Sequence, residues 1–384
     1  MREIAAILEA FDHSARKGLR TALATVVHLE GSSYRRPGAR MLVTEEGEAT
    51  GAISGGCLEG DSLRKALTAI SQTQSKLVTY DTSNEEDAIV GVQLGCEGII
   101  HVLFEPIDRN NPLNPVELLR IGLHQRGDAV LATLFSLHDL RGLQPGTCLL
   151  LQKEGERCGQ VPFPELDKYL VNDMLATLQK GASAMNSYEN GFSRWTAFLQ
   201  YLPPPPRLVL VGAGNDAIPL MQIAGTLGWD VHVVDGRSSH ARAERFTGAC
   251  QVLVTRPLEA LRQIPVDRRT AFVLMTHNYR YDIDMLKALL PMQIPYVGIL
   301  GPRKRLDRML EELRTQGFAL NSQVLEKIHG PTGLDIGAET PEEIALSVLS
   351  EIQAVLTGSP GGMLREKQGE IHPRTGMSLI TQNI

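Results

Sequence analysis

The spacing of hydrophobic positions changes along the chain, and the change divides it. Near the start, Ile4, Ile7, Leu8 and Phe11 recur at the interval of one helix face, which predicts a helix over Arg2–Ala15. Short apolar or alternating runs then predict strands at Thr21–His28, Arg40–Val43, Leu77–Tyr80, Ile99–Phe104, Ala129–Phe135 and Arg194–Gln200. Helical spacing predicts Leu58–Ile70, Pro115–Gln125 and Glu165–Gln179. This irregular mixture reads as an α+β domain over residues 1–202, with Pro106–Pro115 as a candidate division inside it.

Pro203-Pro-Pro-Pro206 interrupts the pattern. Four consecutive prolines join neither a helix nor a central strand, so residues 203–206 read as a stiff linker. Beyond them the pattern alternates. Strands are expected at Arg207–Val211, Val231–Asp235, Gln251–Val254, Ala271–Thr276 and Tyr296–Leu300, and helices at Ala217–Leu227, Ser239–Phe246, Asp282–Leu290 and Pro302–Thr315. Strands alternating with helices imply a parallel sheet covered on both faces.

Val211-Gly-Ala-Gly-Asn-Asp-Ala217 sharpens that reading. It is a GxGxxA sequence that follows an apolar strand and opens a helix, the context a dinucleotide fingerprint requires. Gly212 suits a tight turn, Gly214 a close approach by a pyrophosphate, and Asp235, at the end of the next strand, the ribose hydroxyls. Residues 207–357 are therefore expected to be Rossmann-type. The fold class is α/β, an N-terminal α+β domain followed by a doubly wound parallel-sheet domain. The tail, residues 358–384, is expected to be a flexible arm or a strand that packs on another subunit.

Composition narrows the classes. A length of 384 residues favours two domains, and 43% hydrophobic with 21% charged residues is ordinary for a globular protein. A net charge of −6, with no basic stripe interleaved with aromatics, argues against a nucleic-acid partner. No run reaches the roughly 18 apolar residues of a membrane helix. The charged N-terminus does not read as a signal peptide. The 5 scattered cysteines, with no CxxC pair, suggest reduced thiols, a cytoplasmic location and no structural zinc site.

Candidate chemistry is concentrated in Gly31-Ser-Ser-Tyr-Arg-Arg-Pro-Gly-Ala-Arg-Met41 and Gly51-Ala-Ile-Ser-Gly-Gly-Cys-Leu-Glu-Gly-Asp61. Gly55 and Gly56 expose backbone N–H groups, and Cys57 falls at a helix start; it is either a thiolate favoured by the macrodipole or a small buried core residue after a tight turn. Arg35, Arg36 and Arg40 offer forked donors for an anion. Glu59 follows closely. Cys96, in Gly95-Cys-Glu-Gly98, is a second glycine-flanked thiol; it either converges on the Cys57 pocket or is an unrelated core residue. His277, at a strand end, is either an acid/base group or a cap for the next helix. Gly301-Pro-Arg-Lys-Arg305 is either an anion site or a solvated first turn.

GSSYRRPGARM, GAISGGCLEGD, LGCEG, GAGND and Pro331-Thr-Gly-Leu-Asp-Ile-Gly-Ala-Glu-Thr-Pro-Glu-Glu-Ile-Ala345, in that order, resemble the XdhC/CoxI family. The resemblance spans both halves of the chain. It implies an accessory protein that binds the molybdenum cofactor (molybdopterin), supports its sulfuration and delivers it to a xanthine dehydrogenase-type apo-molybdoenzyme. A cysteine desulfurase-type sulfur donor is the other implied partner. The implied cofactor residues are Gly55, Gly56, Cys57 and Glu59, with Arg36 holding the anion, Cys57 touching the metal or a labile sulfur, and Cys96 assisting. Two departures from the family pattern are Glu97, where a glycine is usual, and Asn215, where many members carry histidine. Many members bear the name xanthine dehydrogenase, but this chain has no iron–sulfur cysteine pattern and is short for the enzyme, so that name is not expected to describe its activity. The competing readings are an NAD(P)-dependent oxidoreductase, with His277 as acid/base, and a nucleotide-regulated scaffold. A homodimer is the simplest expected assembly.

Overall fold

The structure, a computed structural model, describes residues 2–31, 34–81, 98–124, 126–142, 144–189, 194–368 and 380–383. They fall into two compact units that divide at Pro204–Pro205, with the terminal strand belonging to the first.

The first unit runs α1 (Arg2–Lys17), β1 (Thr21–Gly31), β2 (Arg40–Thr44), β3 (Ala49–Gly51), α2 (Glu59–Gln72), β4 (Lys76–Asp81) and β5 (Gly98–Pro106). It continues through α3 (Pro115–His124), β6 (Ala129–Phe135), β7 (Gly146–Gln152), β8 (Arg157–Gly159), α4 (Pro164–Lys180), β9 (Ala184–Glu189) and β10 (Arg194–Leu202). The strands make two sheets. One is antiparallel, in the order β3-β2-β1-β5-β4. Its core lies under α2, where Ala66, Ala69 and Ile70 meet Ala24, Val26, Val102 and Phe104. The second sheet is covered by α4 through Leu166, Leu170 and Met174. Val27, Leu77 and Leu103 of the first sheet pack against Phe135, Met185 and Phe198 of the second, so the sheets share an apolar layer. Each such fully buried aliphatic side chain contributes roughly 1.5–3 kcal/mol.

The second unit runs β11 (Arg207–Val211), α5 (Ala217–Thr226), β12 (Asp230–Asp235), β13 (Gln251–Val254), α6 (Pro257–Gln263), β14 (Thr270–Leu274), α7 (Tyr279–Leu289) and β15 (Tyr296–Ile299). It ends with α8 (Arg303–Thr315), α9 (Ser322–Glu326), β16 (Ile328–His329) and α10 (Pro341–Thr357). The last described strand, β17 (Ile380–Asn383), returns to the first unit. It pairs in parallel with β9, in a sheet ordered β17-β9-β10-β6-β7-β8. The second unit's sheet is wholly parallel, in the order β13-β12-β11-β14-β15-β16. That is the doubly wound Rossmann arrangement, with its switch point between β11 and β14. Leu208 and Leu210 face the α5 and α10 side, while Val209 and Val211 face α7 and α8, so β11 is apolar throughout.

The expected mixed α/β class with a parallel-strand sheet holds. Ser239–Phe246 does not form the expected helix; only Ala243–Arg245 makes a short 3-10 turn. Arg242 is extended, and the Arg245 guanidinium is drawn to the Ala213 and His240 carbonyls and Asn215 Oδ1, so local spacing yields to tertiary hydrogen bonds. Helix α7 begins three residues earlier than expected because Asn278 Oδ1 accepts from the Arg280 and Tyr281 N–H groups. Helix α10 is signalled by a capping box, with Pro341 at its start and Thr340 and Glu343 satisfying each other's backbone N–H groups.

Candidate functional site

Two sets of side chains, one in each unit, take up the residues read from sequence. In the first unit the turn 54–58 leads into α2. Leu58 is the N-cap residue and makes no side-chain cap, so Cys57 lies just outside the helix. Ser54 supplies the missing oxygen. Its Oγ accepts from Gly56 N–H at 3.2 Å and Leu58 N–H at 3.1 Å, and the Cys57 thiol donates to it at 3.6 Å. Ser54 O–H in turn donates to Glu59 Oε2, and Ser54 N–H donates to Glu59 Oε1 at 2.9 Å. Both oxygens of Glu59 therefore brace the turn. Burial pushes the Glu59 pKa up, but the bonds from Ser54 and nearby backbone N–H groups outweigh it and hold the carboxyl below its usual value.

The braced turn leaves an open face. Gly56 has φ +114°, a region that side chains rarely adopt, and a methyl group there would meet nothing within 4 Å. Gly55 is exposed and lies under the Tyr34 ring, whose nearest carbons would be 3.4 Å from an added Cβ. Tyr34 thus brings the arginine-bearing loop against the glycine turn. Cys57 is half-buried and not in a disulfide. The Gly56 N–H is spent within the turn.

The arginines divide by role. Arg40 is 1% exposed; it donates to Gly38 O at 3.0 Å and Gln200 Oε1 at 2.6 Å. Burial lowers its pKa to about 10, against the pull of Glu105 and Glu3. Arg35 pairs with Glu3. Arg36 is exposed, and its side chain makes no hydrogen bond or ion pair among the described residues. Cys96 lies outside the described residues. Cys148 is set apart by burial, which pushes its thiol up to about 12.

In the second unit the glycine loop meets the loop after β14. Gly212 has φ +124°, and a methyl group there would fall 2.6 Å from the Met275 carbonyl and 2.8 Å from Thr276 N. Gly214, in contrast, faces open space. Asp235 is where the fingerprint places it, but its carboxylate is already occupied. Oδ2 accepts from Ala213 N–H at 2.8 Å and Arg237 Nη2 at 2.7 Å. Oδ1 accepts from Arg237 N–H at 2.9 Å and Arg237 Nε at 3.0 Å. Four donors fill the roughly four acceptor positions of a carboxylate, leaving none for a ribose diol. Burial raises the Asp235 pKa, and these bonds, led by Arg237, more than reverse it. The adjacent Gly236-Arg237 dipeptide was the sequence signal for this closure.

His277 does not cap α7; Asn278 does. His277 has φ +58° and a side chain 70% exposed, with Nε2 4.0 Å from Asp216 Oδ2, beyond hydrogen-bond reach. Its loop is held from below. Thr276 Oγ1 donates to buried Asp282 at 2.6 Å, and Arg305 Nη2 donates to the other Asp282 oxygen at 2.6 Å. Arg305 is therefore engaged internally rather than offered to an anion. Tyr34 and Asp282 were not among the expected site residues because their roles depend on Gly55 and Arg305, partners that the fold brings near; Ser54 bonds residues within its own turn, and its role follows from the turn's geometry.

Comparisons with known proteins agree with this architecture. The XdhC and CoxI family matches residues 14–81, and the XdhC Rossmann domain matches residues 208–352. A probable xanthine dehydrogenase subunit of Bacillus subtilis is 33% identical, over 86% of this chain and 91% of its own length. The molybdenum cofactor insertion chaperone PaoD of Escherichia coli is 24% identical, over 88% of this chain and 84% of its own. The solved structure of a xanthine dehydrogenase from Bacillus halodurans superposes with a TM-score of 0.72 at 26% identity, covering 94% of this chain and 98% of that one. With both signature regions matched in order and a relative at this identity over nearly its whole length, the chain belongs to the XdhC and CoxI family.

Proposed function

We propose that this protein is a molybdenum cofactor chaperone for a xanthine dehydrogenase-type molybdoenzyme, and that it binds the cofactor at the Gly55–Cys57 turn. The observation that carries the reading is the turn itself. It is braced from behind by Ser54 and Glu59, open above Gly56, carries a half-buried thiol, and lies against Tyr34 of the loop that bears the exposed Arg36. The likeness to PaoD, a molybdenum cofactor insertion chaperone, supports the same role.

The residues fit the group by donor chemistry. The cofactor supplies a phosphate, a fused polar ring system and a dithiolene-bound metal. Arg36 would hold the anion, the Gly55 and Cys57 N–H groups would add donors, and the Cys57 thiol would contact the metal. Glu59 acts through Ser54 as a positioning residue. Sulfuration supported by a cysteine desulfurase-type donor and delivery to the apoenzyme complete the proposal, with a homodimer and a cytoplasmic setting. No helix among the described residues is long and apolar enough to cross a membrane. The oxidoreductase reading lacks a free carboxylate for the ribose, since Arg237 and Ala213 saturate Asp235.

Anaerobic equilibrium binding of isolated molybdenum cofactor, with NAD and NADP titrated in parallel, tests the proposal. Saturable binding near one per chain, weakened in Cys57→Ala without loss of fold, is the expected result. Tight pyridine-nucleotide binding with no cofactor binding would overturn it.

A further inference from the structure

The five-stranded sheet carries three side chains that the site above does not use. His28 and Glu30 lie on β1 and His101 on β5, and antiparallel pairing sets His28 directly opposite His101. The register shifts between Val26 and His28. Val26 packs toward α2 with Ile100 and Val102, whereas Val27 packs on the other face with Leu103. The bulge turns His28 to the same face as Val27, and so to the face of His101. Glu30, two residues on, shares that face. Glu30 Oε1 is 3.7 Å from His28 Nε2 and 3.6 Å from His101 Nε2. One ligand atom from each of the three residues lies within 4.8 Å of the others.

His101 adds an independent observation. The residue is 8% exposed, and its Nδ1 is 3.0 Å from Oγ1 of Thr79, its partner on β4. Its Nε2 is buried without a hydrogen-bond partner and points into the cluster. In the tautomer whose Nδ1–H donates to Thr79 Oγ1, Nε2 presents a lone pair to the cluster, the arrangement that orients metal-ligating histidines.

We infer that His28, Glu30 and His101 form a binding site for a divalent transition-metal ion of the zinc type. Two imidazoles and one carboxylate are a donor set for such ions, and no thiolate is involved. A tetrahedral ion with bonds of about 2.0–2.1 Å holds its ligands roughly 3.3 Å apart, so the two Glu–His spacings need to close by only a few tenths of an ångström. The Glu30 side chain is 57% exposed, which leaves a solvent-facing position for water or an anionic oxygen. Cys57 packs on the α2 face of this sheet, so the metal site is separate from the proposed cofactor turn. The inference does not depend on the chaperone reading.

The test is zinc titration of the chelator-stripped full-length protein by calorimetry, with Co(II) substitution followed by electronic spectroscopy. One ion per chain is expected, with a Co(II) spectrum that lacks thiolate charge transfer. His28→Ala and Glu30→Gln should each weaken binding by at least about 100-fold, since even a change of outer-shell partner costs 10–100-fold. Cys57→Ser should leave binding unchanged. Glu30 is the exposed member, so Glu30→Gln separates loss of a ligand from loss of fold. Absence of saturable binding would overturn the inference, as would binding that survives both variants or binding that is lost in Cys57→Ser.

Discussion

Ser54→Ala should unlock the Gly55–Cys57 turn more than any change to the thiol itself. The hydroxyl oxygen accepts from the Gly56 and Leu58 N–H groups, and the hydroxyl hydrogen goes to Glu59. Losing an oxygen that satisfies N–H groups at a helix start costs about 0.5–2 kcal/mol. A hydrogen bond to a charged acceptor contributes about 1.5–3 kcal/mol. The two overlap, because Ser54 N–H stays on Glu59 Oε1 in the variant. The net local loss is therefore about 2–3 kcal/mol, or roughly 30- to 160-fold in the opening equilibrium. Hydrogen exchange by mass spectrometry on the full chain reads this directly. The amides from Leu58 to Ser62 should exchange faster by that factor, while those of β14 should not change. An acceleration under about threefold, roughly 0.6 kcal/mol, would refute the claim that Ser54 holds the turn.

The same brace is pH-dependent. Because the folded pKa of Glu59 lies below its ordinary value of 4.5, its contribution is fully present above that value. It is lost as pH falls through the lower folded value, so protection factors at Leu58–Ser62, corrected for intrinsic exchange, should drop in that window and stay flat above it. Gly212→Ala combines a forbidden φ with contact against the Met275–Thr276 backbone and should cost about 3 kcal/mol or more, seen as a lowered calorimetric transition. Gly214→Ala, facing open space, should stay within about 0.5 kcal/mol of wild type in the same scan. Arg237→Ala should free Asp235, so any pyridine-nucleotide affinity measured by fluorescence should rise in the variant relative to wild type.

Much of the fold was legible because the local physics repeats. Strand β11 is apolar on both faces, the next turn needs a glycine at Gly212, and the following helix is apolar where it meets the sheet. Those constraints act over a few residues and survive in any tertiary setting. The parallel sheet could be read from them. So could the existence of a thiol-bearing glycine turn before α2. The Ser239–Phe246 expectation failed where Arg245 bonded the glycine loop instead of extending a helix. The terminal strand beside β9 had no local cue, since pairing in parallel with a distant strand is decided by what that strand leaves open.

By itself, the sequence determined the residue types: two glycine turns, a thiol, an acid at a strand end and a set of arginines. The folded structure decided which of those groups are free. Arg237 and Ala213 saturate Asp235, Ser54 turns Glu59 into a brace, Gln200 and Gly38 take Arg40, and Arg36 remains exposed. The bulge at Val27 likewise sets His28 over His101, a pairing across distant strands that no cysteine motif could signal. The reason is common to all of them. A polar side chain has a fixed number of donors and acceptors, and only the folded chain determines how many are already used.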